Sequence, residues 1–253
     1  MVKPKKLEPN SRIGIVSPSY WLDKDDLKRS VKYFSDAGYN IKIGRSNHLQ
    51  NGPFAGTAQE RADDINEMFL NPDIDAILCA RGGYGANKVL PLIDYENIRS
   101  NPKIFLGYSD ITAYLTSITQ KTDLVTFHGP MLSSFREEFV QYNYDSMMNV
   151  LGLASSVTIS APKNISPRIL RPGICKGEIW GGNLTLIANR LGSADSLKTN
   201  DVILFLEDVD EYLYSFERML IHLHNAGIFE KIKGLIIGEL HNFKDQDIPF
   251  GKS

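Results

Sequence analysis

Ile104-Phe105-Leu106-Gly107-Tyr108-Ser109-Asp110-Ile111-Thr112 carries a strand-sized apolar run straight into a polar turn. Helical spacing then resumes over residues 111–120. A strand that enters a helix through so short a turn presents the Ser109 hydroxyl at a sheet edge. The first N–H groups of the helix stand beside it and favour an anion. The same residues also fit a plain helix N-cap by Ser109 or Asp110. The stretch is not a strict GxSxG, so nucleophile and cap both stay open at this point.

Working outward, the pattern repeats. Residues 12–17 form an apolar run closed by Ser17-Pro18-Ser19, a strand followed by a loop. Residues 25–37 space Leu27, Val31 and Phe34 as one face of a helix that stops at Gly38. Residues 39–43 are the next strand, and 44–57 a loop. Residues 57–70 are a helix opened by a Thr57/Glu60 capping box. Residues 75–80 are a strand that ends in Arg81-Gly82-Gly83-Tyr84-Gly85, with a helix over 86–93. Residues 103–107 and 125–127 supply two more strands. Short apolar strands alternating with helices specify a parallel sheet covered on both faces. Right-handed crossovers place every strand's carboxyl end on one edge, where ligands bind in such sheets.

The character changes after about residue 135. Residues 152–175 are rich in Ser, Pro and Gly, and helical period is lost. A strand resumes at Gly177-Glu178-Ile179-Trp180-Gly181-Gly182, followed by a helix at 184–191, a strand at 202–206, a helix at 213–226 and a strand at 235–237. The expected organisation is an N-terminal α/β domain over 1–150, a linker over 151–175 and a smaller α/β domain over 176–253.

Composition narrows the function classes. The 253 residues carry 28 Lys and Arg against 30 Asp and Glu, a formal net charge of −2. That balance argues against a nucleic-acid partner, which asks for a basic excess. At 42% hydrophobic the chain can build its own core. No apolar run approaches the ~20 residues of a membrane span, nor does the N-terminal region hold a signal-length run. Cys79 and Cys175 both read as buried free thiols, consistent with a reducing cytoplasm.

Three further features carry chemistry. Gly82, Gly83 and Gly85 let the backbone approach a bound group or form an anion nest, though a tight strand-to-helix turn needs them as much. The loop matches neither the dinucleotide fingerprint nor the P-loop. Glu207-Asp208-Val209-Asp210-Glu211 follows an apolar strand. A carboxylate there can orient a histidine, the acids can bind a hard cation, or they can open a helix. The helix reading suits Asp210 and Glu211 better than Glu207. Of the five histidines, His128 stands at a strand end in the same half as Ser109 and is the local candidate for a base. His222 and His224 point in different directions from one helix, and no metal-ligand spacing occurs.

Taken in order, the motifs resemble the LD-carboxypeptidase family of serine peptidases, which also includes the microcin C7 self-immunity proteins. The matching pieces are Ile13-Gly14-Ile15-Val16-Ser17-Pro18-Ser19, Ala80-Arg81-Gly82-Gly83-Tyr84-Gly85, Leu106-Gly107-Tyr108-Ser109-Asp110-Ile111-Thr112 and Phe127-His128-Gly129-Pro130-Met131. They continue through Gly181-Gly182-Asn183-Leu184, Leu204-Phe205-Leu206-Glu207-Asp208-Val209 and Ala226-Gly227-Ile228-Phe229 to Gly238-Glu239.

The resemblance implies a flavodoxin-like N-terminal domain, a smaller C-terminal α/β domain and a Ser–Glu–His triad. It assigns the nucleophile to Ser109, the orienting carboxylate to Glu207, and the oxyanion donors to the backbone N–H groups of Gly83 and Asp110. It implies hydrolysis of the amide before a terminal D-amino acid, with no metal or organic cofactor. Arg81, with Gly82 and Tyr84, is the candidate for holding the substrate's carboxylate. A small peptide or muropeptide is the expected substrate and a cytoplasmic homodimer the expected form. The family's histidine lies beyond the Gly238-Glu239 strand. Residues 248–253 read as the opening of the helix before it, which places that histidine roughly 30 residues past Ser253 and makes the C-terminal domain incomplete. The expected consequence is impaired turnover, with a non-catalytic peptide-binding relative or a microcin-type peptidase as alternatives.

Overall fold

The computed structural model describes residues 1–135, 141–152, 156–162 and 165–250. The chain divides into two compact units, Met1–Arg171 and Pro172–Ser253. The point of division falls inside the stretch 151–175.

The first unit runs β1 (Arg12–Val16), α1 (Lys24–Asp36), β2 (Asn40–Ile43), α2 (Ala58–Leu70), β3 (Ala76–Cys79), α3 (Ala86–Val89), α4 (Tyr95–Ser100), β4 (Ile104–Gly107), α5 (Thr112–Thr122), β5 (Phe127–His128) and α6 (Gln141–Gly152). Its five strands are parallel in the order β2-β1-β3-β4-β5. This is the flavodoxin-like order, whose direction of winding reverses between β1 and β3. The central strands β3 and β4 are buried along their whole length, as a sheet covered on both faces requires. Ile13, Ile15, Leu78, Ile104 and Leu106 pack with Leu27 and Phe34 of α1 and with Met147 and Leu151 of α6 in one core.

The second unit runs β6 (Ile179–Asn183), α7 (Leu184–Asn189), β7 (Ile203–Val209), α8 (Leu213–Asn225) and β8 (Gly234–His241). Its strands are parallel in the order β6-β7-β8. Leu204 and Leu206 of β7 face a core made with Leu184, Ile187, Leu223 and Ile228. Strand alternation puts Glu207 on the opposite face from these leucines.

Local signals behaved as their chemistry demands. Asp23 accepts from the Asp25 N–H at the start of α1, and Thr57 and Glu60 form the reciprocal capping box of α2. Four expectations need correction. The helix expected over 86–93 is α only to Val89, then tightens into a 3₁₀ turn over Leu90–Leu92 that contains Pro91. Proline has no N–H to continue the α ladder. Helices α4 and α6 lie where no helix was expected; α4 is opened by Asp94, which accepts from the Asn97 N–H. Strand β7 runs to Val209 rather than ending at Leu206, so Glu207 and Asp208 lie within it. Cys79 is buried as expected, but Cys175 is exposed.

Residues 251–253, on which part of the reading of the tail falls, lie outside the described residues, as do 153–155 and 163–164 of the stretch read as a linker. Among the described residues no helix is long and apolar enough to cross a membrane.

Candidate active site

Three loops leave the carboxyl edge of the first sheet side by side. Residues 17–19 follow β1, residues 80–85 follow β3, and residues 108–110 follow β4. Each is adjacent to the next because β1, β3 and β4 are neighbours in the sheet. This edge also holds the switch point where α/β sheets bind ligands.

Ser109 stands at the sharpest point of the β4 turn. Its φ is +62°, a left-handed conformation that L side chains seldom adopt. Such strain, at a cost of order 1–3 kcal/mol, concentrates at active sites. A 3₁₀ turn over Ser109–Ile111 then leads into α5. The plain N-cap reading fails here. Tyr108 holds the cap position of the turn, and no side chain caps it. The Asp110 carboxylate instead accepts from the Ala86 N–H of α3, at 3.0 Å, and from the Ser19 hydroxyl, at 2.5 Å. Burial raises the Asp110 pKa, against the Ser19 and Ala86 hydrogen bonds and the Arg61 charge.

The glycine loop faces this serine directly. A Cβ on Gly82 would stand 3.1 Å from both Cβ and Oγ of Ser109 and 3.4 Å from the Asp110 nitrogen. Residue 82 is therefore the backbone surface against which the hydroxyl and the first turn N–H are set. Gly83 has φ +119°, and a Cβ there would fall 2.4 Å from Cγ of Tyr20. Both the conformation and the Tyr20 ring require glycine at 83. Tyr20 holds the loop a second way, its N–H donating to the Gly82 carbonyl at 3.2 Å.

Arg81 is half-buried. Its guanidinium lies 5.8 Å from the Tyr20 ring centre, and Nη1 reaches the Trp21 carbonyl at 3.4 Å. Tyr84 is exposed, its ring 6.2 Å from that of Phe54. His128 pairs with Gly107 across β4 and β5, and its ring centre is 6.2 Å from that of Tyr108. The protein mass around it pushes its pKa down to about 4, although the residue keeps an open face to solvent.

In the second unit, neighbouring carboxylates of β7 have opposite surroundings. Asp208 is buried and accepts from Asn183 Nδ2 at 2.8 Å and from the Thr185 N–H and hydroxyl, both at 2.9 Å. It secures the first turn of α7. Glu207 is partly buried, and its Oε1 is enclosed with no hydrogen-bond partner among the described residues. Burial, with the nearby Asp208 charge, raises its pKa to about 7. Asp210 has φ +62° and Glu211 follows it in the turn, so neither opens α8, which begins at Leu213. Among the described residues no group of three or more His, Cys, Asp or Glu side chains is placed to hold a metal ion.

The structure thus brings Ser109, Asp110, Gly82 and Gly83 together and sets Arg81 and Tyr84 on the same loop. Sequence reasoning missed Ser19, Tyr20 and Arg61, which hold that arrangement. The Ser17-Pro18-Ser19 loop was visible, but nothing local pointed its last serine at residue 110.

Comparison with known proteins agrees with this architecture. The family model described as LD-carboxypeptidase N-terminal domain matches residues 13–129, and that described as LD-carboxypeptidase C-terminal domain matches residues 176–252. The chain is 36% identical over 246 residues to a Bacillus subtilis (strain 168) protein named "Probable murein peptide carboxypeptidase", covering 95% of this chain and 75% of the relative. It is 32% identical over 250 residues to the Escherichia coli microcin C7 self-immunity protein MccF, covering 88% and 73%. A solved structure of MccF in complex with aspartyl sulfamoyl adenosine superposes with a TM-score of 0.87 at 31% identity, covering 96% of this chain and 82% of that one. The chain belongs to the LD-carboxypeptidase family.

Proposed function

We propose that the protein is a serine-type LD-carboxypeptidase that cleaves the amide before a terminal D-amino acid, trimming a muropeptide tetrapeptide to a tripeptide in cytoplasmic peptidoglycan recycling. The observation that carries this reading is the strained Ser109 at φ +62°, its hydroxyl and the Asp110 N–H both set against Gly82. Ser109 Oγ attacks the carbonyl carbon and passes its proton to a histidine. The backbone N–H groups of Gly83 and Asp110 receive the developing oxyanion. Collapse of the tetrahedral adduct expels the D-amino acid, whose amine takes the proton back. Water then releases the acyl group from Ser109 by the reverse route. Arg81, with Gly82 and Tyr84, receives the substrate's terminal carboxylate. Glu207 orients the histidine: its enclosed Oε1 is an acceptor suited to an imidazole N–H, whereas Asp208 already has its donors.

In this scheme the base is the histidine that Glu207 orients, and His128 of β5 is the alternative base. The chain is expected to bind a tetrapeptide ending in D-Ala in preference to one ending in L-Ala, and release of D-Ala is expected to require Ser109. Calorimetry with the two peptides, and chromatography of the products, measure both. Equal or absent binding would overturn the LD-carboxypeptidase reading. Release of D-Ala that persists in Ser109→Ala would overturn the assignment of the nucleophile, and release that disappears in His128→Ala would overturn the assignment of the base. A second reading, cleavage of a nucleotide-linked acyl amide, is favoured by the likeness to MccF bound to aspartyl sulfamoyl adenosine. Preferential binding of such a compound over the muropeptide would select it. The protein is expected to act as a homodimer.

A further inference from the structure

Two buried charges of the first unit have side chains with no step in the reaction above. Arg61 of α2 and Asp110 of the elbow are each 2% exposed. A charge removed from water is costly unless hydrogen bonds and an opposite charge compensate it. Arg61 Nη1 donates to the Pro18 carbonyl at 2.9 Å and reaches the Gly85 carbonyl at 3.5 Å. Its Nε donates to the Thr57 carbonyl at 3.3 Å, and the Phe54 ring centre lies 5.1 Å from the guanidinium carbon. Asp110 accepts from the Ser19 hydroxyl and the Ala86 N–H. The cation thus takes the carbonyls of residues 18 and 85, and the anion takes donors on residues 19 and 86, the next residue of each loop. Burial pushes the Arg61 pKa down and the Asp110 pKa up, and each charge opposes the shift of the other. The Tyr114 hydroxyl adds a second donor to the Pro18 carbonyl, at 2.8 Å.

We propose that the buried Arg61 and Asp110, each through its own hydrogen bonds to the same two loops, form a clamp that sets the glycine loop against the serine elbow. Asp110 is then a positioning residue through its carboxylate, besides offering its backbone N–H. The proposal rests on the LD-carboxypeptidase reading. Its physical basis is the short path from the clamp to the oxyanion donors. Gly83 lies two residues before Gly85, and Asp110 carries both the clamping carboxylate and the second donor N–H. Donors aimed at an oxyanion must hold their places to within about 0.5 Å, and a drift weakens the transition state more than the ground state.

The test separates those two states. A phosphinate analogue replaces the scissile amide of the tetrapeptide with a tetrahedral anion. Calorimetry compares it with the parent tetrapeptide on the 253-residue chain and on Asp110→Asn and Ser19→Ala. The unaltered chain should bind the phosphinate at least about tenfold more tightly than the peptide. Asp110→Asn should lose about tenfold of phosphinate affinity with peptide affinity within about twofold, and Ser19→Ala should lose about threefold in the same selective way. Equal loss for both ligands, or no loss, in variants that keep the circular dichroism of the unaltered chain would overturn the clamp. If Asp110→Asn does not fold, Ser19→Ala decides by the same criterion. Failure of the unaltered chain to bind either ligand overturns the LD-carboxypeptidase reading and the clamp's role with it. Tight phosphinate binding with unselective variants overturns the clamp alone.

Discussion

Asp110 in the first unit and Glu207 in the second are both carboxylates taken partly or wholly out of water, yet their surroundings are opposite. Asp110 accepts from Ser19 and Ala86 and feels the Arg61 charge. Glu207 has an enclosed oxygen with no partner among the described residues, and burial together with the like charge of Asp208 raises its pKa. The first pattern belongs to a group whose task is to hold the backbone. The second leaves a buried acceptor unfilled, which costs free energy until a donor reaches it.

Removing each carboxylate breaks or sharpens that contrast. The largest effect is expected from Asp110→Ala, which strands the Ser19 and Ala86 donors and removes a buried charge that favours the charged form of Arg61. Leaving buried donors without their acceptor costs about 1–3 kcal/mol, to be read from the urea midpoint. A loss below about 1 kcal/mol would show that the carboxylate holds nothing.

Glu207→Gln should act in the other direction and depend on pH. The folded-state pKa of Glu207 is raised from 4.5 to about 7. Its contribution to stability is therefore fully present below pH 4.5 and is lost as pH rises through 7. Glutamine cannot ionise, so the melting temperature of the variant should gain on that of the unaltered chain between pH 4.5 and pH 8. A gap that stays constant or narrows over that range would contradict the account. The smallest effect is expected at Ser109→Gly, which relieves the φ of +62° and should stabilise the fold by about 1 kcal/mol. A neutral or destabilising result would mean that the elbow stores no strain.

Much of this was legible before the structure. Periodicity located the five strands of the first sheet, because short apolar runs between helical stretches have few other solutions. The Thr57/Glu60 box and the Gly38 stop were read correctly because both are local hydrogen-bond chemistry. The helix over Gln141–Gly152 was missed because its apolar face is narrow, with Met147 and Leu151 as its buried residues. Strand β7 was cut short at Leu206 because an acidic run resembles a helix start. Asp208 in fact continues the strand's inward alternation, its charge held by Asn183 and Thr185. Cys175 was read as buried from its apolar neighbours, but Ile174 beside it is itself fully exposed.

By itself the sequence determined the alternating α/β order, the serine at a strand-to-helix turn, the glycine loop and the ordered motifs of the LD-carboxypeptidase family. These are signals carried by residues near one another along the chain. Only the tertiary structure decided that Asp110 clamps two other loops rather than capping its own helix. It likewise decided that Tyr20 makes glycine obligatory at 83, and that Asp208 is held by Asn183 and Thr185 while Glu207 Oε1 has no partner among the described residues. Each of those depends on contacts between residues up to 91 positions apart, such as Ser19 and Asp110. Such contacts exist only once the parallel sheet brings the carboxyl ends of its strands to one edge.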